Sequence, residues 1–313
     1  AFKNKFINPS GTINQAGAVS LTGAAQYMWD GWLCYSTGTG VAGTSASYGQ
    51  QDTPSKTAFG FPNYAATSGR PYLFQRIEKA NCQRFSGKTV TFSAYVFHQQ
   101  GASVNWEFNA GKANSADNFG AVTALGTATM SVTAVPNSSL VRVIGTYTFG
   151  ATDCDNGIYV QLAPTADATW PSGYLLYGDL QIEEGSTATP FEQRPVGLEL
   201  ALCQRYYYRV TLASASAFGA AQSVNTTLAQ VMVYFPVGMR DTPSALDQSG
   251  VASDYNLYIA NVSTNCSAVP YLGIAARHFA VANFTVASGL VSGQAGVGRA
   301  NAANAYLGFS ARL

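Results

Sequence analysis

Between Thr89 and Val96 the chain alternates with a period of two. Val90, Phe92, Ala94 and Val96 fall on one side, and Thr89, Thr91, Ser93 and Tyr95 on the other. A helix scatters such a pattern around its axis, whereas a half-buried strand requires it. The same grammar recurs in Val141, Val143, Tyr147 and Phe149, set against Arg142, Thr146 and Thr148. It recurs again in Ile158, Val160 and Leu162, and in Leu176, Leu180 and Ile182. The second half repeats it at Val231/Val233/Phe235, Tyr255/Leu257/Ile259, Phe284/Val286 and Leu307/Phe309/Ala311. Turn clusters such as residues 153–157 and Pro171-Ser172-Gly173 separate the runs. Glycine and proline supply 31 and 12 of the 313 residues, which leaves little room for long helices. The pattern predicts an all-β chain, with strands at the spacing of a β-sandwich or jelly roll.

A boundary is predicted near 186–198, where Ser186-Thr187-Ala188-Thr189-Pro190 leads to Arg194-Pro195-Val196-Gly197. This gives two all-β domains, 1–196 and 197–313, with a short helical turn at 198–203 before Tyr206, Tyr208 and Val210 resume the alternation. There is no internal repeat, heptad seam or charge run. Residues 27–35 read as a single strand, which puts Trp29 and Trp32 on opposite faces. Trp32 is assigned inward and Trp29 is left open.

Charge narrows the function. Lys and Arg total 17 against 16 Asp and Glu, and charged residues make up 11% of the chain, against roughly a quarter in an average soluble protein. So sparse a positive charge cannot neutralise many phosphates, so nucleic acid is not an expected partner. No apolar run reaches the roughly 18–20 residues that cross a bilayer, so no membrane insertion is expected, and the opening residues lack the apolar stretch of a signal peptide. The five cysteines (Cys34, Cys82, Cys154, Cys203, Cys266) are widely spaced, have no short metal spacing, and read as small apolar residues of a chain made in a reducing cytoplasm. The Asn-x-Ser/Thr sequons, such as that at Asn137, are read as chance occurrences in an Asn/Ser/Thr-rich chain.

Motifs for catalysis fail on their context. Gly38-Thr39-Gly40-Val41-Ala42-Gly43 matches a dinucleotide fingerprint, but no amphipathic helix follows, and Asp52 comes too soon to bind a ribose. Gly87-Lys88-Thr89 leads into a strand, and Cys82 stands where a phosphate loop needs its first glycine. The two histidines, His98 and His278, are too few for a His-rich metal centre and read as strand-end residues. No Gly-x-Ser-x-Gly elbow occurs. Glycoside hydrolysis needs two carboxylates across a cleft, and nothing in the spacing pairs Glu107, Asp153, Asp155, Asp179, Glu183 or Glu184. The chain reads as a non-enzyme. A face rich in hydroxyls, amides and aromatic rings suits neutral sugars, because rings stack on pyranose C–H faces while Asn, Gln and Ser bond the hydroxyls. Trp29, Trp106, Trp170 and Tyr174 are the candidate glycan-binding residues.

The stretch Gly178-Asp179-Leu180-Gln181-Ile182-Glu183-Glu184-Gly185-Ser186-Thr187-Ala188-Thr189-Pro190-Phe191-Glu192 is followed by Arg194-Pro195 and Glu199-Leu200-Ala201-Leu202-Cys203-Gln204-Arg205-Tyr206-Tyr207. Together they resemble bacteriophage tail fibres and related receptor-binding virion adhesins. Asn8-Pro9 with Ile13-Asn14-Gln15, the 239–246 segment and the 305–311 ending are similar to other parts of the same family. The resemblance implies a carbohydrate-binding-module-like jelly roll followed by a smaller β-sandwich tip domain. It implies host attachment through a bacterial surface polysaccharide or lipopolysaccharide, other virion proteins as partners, a homotrimer, and a place in the virion after assembly in the host cytoplasm. Read as residues, the signature is mostly structural. Leu180 and Ile182 face the core, Gly185 and Pro190 turn the chain away, Phe191 plugs the domain junction, and Glu199 and Arg205 are placed to pair with each other or with neighbours.

Modules of this kind often carry a structural calcium held in part by an acidic residue of the last strand. Asp179 occupies a comparable place, although residues 6–15 hold no carboxylate to complete the site. No other cofactor is expected. Two rivals are weighed against the adhesin: a structural head-fibre or baseplate part, with aromatics buried at subunit contacts, and a capsule depolymerase, with a carboxylate pair facing a groove.

Overall fold

The computed structural model describes residues 2–313. Residue contacts divide it into two compact units, one running up to Leu200 together with Leu313, the other Ala201–Arg312. No helix is long and apolar enough to cross a membrane among the described residues.

The strands of the first unit are β1 (Gln26–Trp29), β2 (Trp32–Ser36), β3 (Thr39–Ala42), β4 (Ala46–Gly49), β5 (Thr57–Gly69), β6 (Pro71–Ile77), β7 (Thr89–His98), β8 (Val104–Ser115), β9 (Asn118–Thr127), β10 (Thr129–Val132), β11 (Ala134–Val135), β12 (Val141–Thr148), β13 (Ile158–Pro164) and β14 (Ala168–Glu184). They form two antiparallel sheets. One runs β1-β2-β6-β13-β8-β11 with β9 alongside β8; the other runs β10-β12-β7-β14-β5-β3 with β4 alongside β5. The central orders β6-β13-β8-β11 and β5-β14-β7-β12 are those of a jelly roll, in which successive strands alternate between facing sheets. The alternation at 89–96 does what it predicts: Val90, Phe92, Ala94 and Val96 are fully buried between the sheets.

Residues 27–35 are two strands, not one. Asp30-Gly31 forms the tight turn of a hairpin, with Gly31 at φ +81° and Trp29 paired across it with Trp32. Residues paired across such a turn share a face. Both rings therefore enter the core, each 1% exposed.

The signature stretch is a clamp on the N-terminal segment. Asn4 donates from Nδ2 to the Leu180 carbonyl (3.0 Å), accepts from the Ile182 amide (3.2 Å), and donates its own amide to Glu192 (2.9 Å). The Arg194 guanidinium reaches the Asn4 and Phe6 carbonyls and pairs with Glu199, whose other oxygen accepts the Asn8 amide. Arg194 and Glu199 are both nearly inaccessible to water. The partner of Glu199 is thus Arg194, five residues before it. Leu180 and Ile182 face the core as expected.

Helix α1 (Lys79–Cys82) runs into a 3-10 turn (Gln83–Phe85) between β6 and β7, and α2 (Val196–Gln204) fills the place of the expected helical turn. The second unit holds β15 (Tyr207–Leu212), β16 (Ala217–Ser223), β17 (Leu228–Tyr234), β18 (Ala245–Gln248), β19 (Tyr255–Ile259), β20 (Val262–Ala276), β21 (Phe279–Val286), β22 (Ala295–Ala300) and β23 (Ala305–Ser310). It is all-β, as the alternation predicts. Where two facing sheets were expected, β16-β17-β21-β20-β19-β22 close into a barrel, beside a three-stranded sheet β15-β23-β18. The barrel interior is lined in part by small residues, Ala221, Ala229, Ala280 and Ala282, which let six strands close around Tyr255 and Phe284.

Candidate carbohydrate-binding face

Three of the four residues singled out from the sequence cannot touch a polysaccharide. Trp29, Trp106 and Trp170 are 1%, 0% and 3% exposed. Trp29 is turned inward by the hairpin. Trp106 shares the core face of β8 with Phe108 and Ala110. Trp170 lies in β14, which also runs through the expected turn at Pro171-Ser172-Gly173; its ring meets Tyr64 and Trp106 edge-on, and its N–H is satisfied by the Gly69 carbonyl at 3.1 Å. Tyr174 is 43% exposed, but it lies on the second sheet, where its ring meets that of Tyr48.

The aromatic surface of this unit is on the outer face of the first sheet. Along β2, β6 and β13, the core residues Cys34, Leu73 and Val160 alternate with outward Tyr35, Tyr72 or Phe74, and Tyr159 or Gln161. Strand register aligns these into rows. One row runs Leu33–Phe74–Gln161–Asn109–Thr127 across five strands. The next runs Arg76–Tyr159–Gly111–Ala124. A cleft of about 220 Å³ opens here, between Tyr35, Phe74, Arg76, Phe119, Val122, Tyr159 and Gln161.

Contacts among these side chains fix their orientation. Tyr35 and Tyr72 stack in parallel, 4.5 Å apart and 7° from coplanar, with the Arg70 guanidinium 5.2 Å above the Tyr72 ring. Arg76 lies between Phe74 and Phe119 (6.0 and 5.3 Å) and donates to the Leu313 carbonyl. The Gln161 amide donates to the Tyr35 hydroxyl (3.4 Å), Thr127 to Asn109 (2.6 Å), and Asn109 to Glu107 (3.1 Å). Tyr159 packs over Gly111, where any side chain would collide with its ring. Burial pushes the Tyr35 and Tyr159 phenols above their ordinary range, so both stay neutral donors at physiological pH. The face therefore offers aromatic rings flanked by neutral donors and acceptors and by the Arg76 cation. Glu107 lies beside the cleft, hydrogen-bonded by Asn109, and the described residues that line the cleft include no carboxylate.

Asp179 sits elsewhere, on a bulge of β14 at φ +48°, with no exposed surface. Its Oδ2 accepts the Ser55 amide (2.9 Å) while Oδ1 has no partner. A calcium ion takes six to eight oxygens. Here the nearby charge is the Arg142 cation, and no group of three His, Cys, Asp or Glu side chains comes together among the described residues. This donor set does not fit calcium. Burial raises the Asp179 carboxyl above its ordinary range, with Ser55 and Arg142 opposing. A carboxyl raised in the folded state holds its proton better there than in the unfolded chain. Its stabilisation is full below the unfolded pKa and is lost as pH rises through the folded one. Asp179→Asn keeps an acceptor for Ser55 and tolerates the left-handed backbone. It is expected to raise stability at pH 7 by about 1–3 kcal/mol, with the gain closing toward pH 4. Thermal unfolding across pH checks this; a destabilised variant, or calcium-dependent stabilisation of the parent, would contradict it.

No protein-family model matches the chain, and no curated protein matches it. Solved structures do. The CBM22-2 xylan-binding domain of Paenibacillus barcinonensis Xyn10C matches at 12% identity over 59% of this chain and 99% of that one, with a TM-score of 0.35. The CBM22-1–GH10 modules of Clostridium thermocellum endo-1,4-β-D-xylanase 10B, complexed with xylohexaose, match at 12% identity over 51% of this chain, with a TM-score of 0.31; the match spans 27% of that longer chain. The enzymatically active domain of bacteriophage CBA120 tailspike protein 4 matches at 11% identity over 58% of this chain and 21% of that one, with a TM-score of 0.35. At such identities and scores, none of them assigns a ligand to this chain.

Proposed function

We propose that the first unit is a carbohydrate-binding module, and that the chain is a non-enzymatic bacteriophage fibre protein attaching the virion to a bacterial surface polysaccharide or lipopolysaccharide. The observation that carries the binding reading is the cleft on the first sheet, where the rings of Tyr35 and Tyr159 lie beside Gln161, with Tyr72 stacked behind Tyr35. Rings of this kind cover the C–H faces of pyranoses while amides bond their hydroxyls. The virion role rests on the sequence resemblance across 178–207. A homotrimer would add avidity to individually weak sites, and sedimentation of the isolated chain reads its oligomeric state.

The test is affinity electrophoresis against a panel of bacterial surface polysaccharides, with released reducing ends assayed in the same samples. Retardation without new reducing ends is expected. Tyr35→Ala and Tyr159→Ala should each weaken binding about tenfold, roughly 1.4 kcal/mol. Release of reducing ends, or retardation unchanged in both variants, would count against the reading.

A further inference from the structure

Two cysteines that lie 72 positions apart in sequence meet in space. Cys82 closes α1, between β6 and β7, and Cys154 lies in the turn that joins β12 to β13. The Cys82 sulfur lies 3.5 Å from the Cys154 carbonyl oxygen. Both are fully buried, while their chain neighbours Asn81 and Gln83 on one side, and Thr152 and Asp155 on the other, are exposed. A one-turn helix and an irregular turn are segments that open locally at small cost. We infer that Cys82 and Cys154 form an oxidisable pair that closes into a disulfide when the chain meets a low-molecular-weight disulfide such as glutathione disulfide.

The step balances without any other reactant. Cys154 loses its proton and its thiolate attacks one sulfur of glutathione disulfide. The S–S bond breaks, and one glutathione leaves as a thiolate and takes up a proton. Cys82 then loses its proton and attacks the Cys154 sulfur of the mixed disulfide, expelling the second glutathione. Two protein thiols are oxidised, and one glutathione disulfide is reduced to two glutathiones. Cys154 attacks first, because the neighbouring Cys82 and Ser86 side chains hold its thiol below its ordinary range, whereas Cys154 and burial hold the Cys82 thiol above its own. Cys34 and Cys266 are buried with their thiols pushed up, Cys266 to about 12, and serve as internal controls.

The full chain is incubated with glutathione disulfide, quenched with an alkylating agent and digested for peptide mass spectrometry. The expected product is a Cys82–Cys154 cross-linked peptide, lighter by two hydrogens than its two thiol halves, with Cys34 and Cys266 alkylated. Tryptophan-monitored thermal unfolding should rise by roughly 5 °C or more, fall back on reduction with dithiothreitol, and be unmoved by glutathione disulfide in Cys154→Ser. Recovery of both residues as alkylated thiols, or of Cys154 joined only to glutathione, would overturn the inference. Because the reversal is read on the parent chain, poor folding of the variant leaves the test intact.

Discussion

Arg194→Ala is expected to destabilise the first unit by roughly 3–5 kcal/mol, the cost of leaving a buried charge without its partner. Arg194 bonds two backbone carbonyls and the Glu199 carboxylate out of reach of water. Its removal strands the Asn4 and Phe6 carbonyls and leaves Glu199 with only the Asn8 amide. All four tryptophans belong to this unit and all are buried, so near-ultraviolet circular dichroism on the indoles follows its unfolding selectively. A loss of this size lowers the melting temperature by roughly 6–20 °C in a unit of this length. Glu199→Ala should behave similarly, and the double replacement should cost less than the sum of the two. An indole-monitored transition within about 2 °C of the parent would show that the clamp is not a source of stability.

Gly111→Val is expected to abolish polysaccharide retention, by at least tenfold in affinity, while leaving the core intact. A β-carbon at 111 falls 2.2 Å from two ring carbons of Tyr159, so the ring must leave its seat. Gly111 faces outward, with Ala110 and Phe108 of the same strand on the core side, so the indole-monitored transition should move far less than in Arg194→Ala. Adding Tyr159→Ala to Gly111→Val should lower affinity little further, because both act through one ring. Retention equal to the parent's in Gly111→Val would remove Tyr159 from the binding surface.

The strand grammar was legible because burial on one face writes a period of two into the chain, as at Val90–Val96 and Val141–Val143. The hairpin at Trp29 was also written in the sequence, in the turn pair Asp30-Gly31, but the continuous apolar run around it masks the reversal. The candidate site was less accessible. Its signal is the replacement of small polar residues by Tyr and Phe at outward positions, in Tyr72-Leu73-Phe74 and Tyr159-Val160-Gln161. Aromatic residues on both faces of a strand do not say which face is buried. That β6 lies beside β13, bringing Phe74 to Gln161 across more than 80 positions of sequence, is a property of the closed topology and not of either segment. Tryptophan drew the sequence reading elsewhere because a large ring serves a core as well as a ligand.

The clamp of 180–199 on Asn4–Asn8 also sets a timetable. Its hydrogen bonds join positions 176–191 apart. At ribosomal rates of about 5–20 residues per second, the N-terminal segment therefore waits on the order of 10–40 s before its partners exist. The strand β14 that receives it is likewise the last of the sandwich to be made. The first unit thus acquires its final strand and its N-terminal strap together, late in synthesis, and until β14 is made β5 and β7 lack the strand that lies between them.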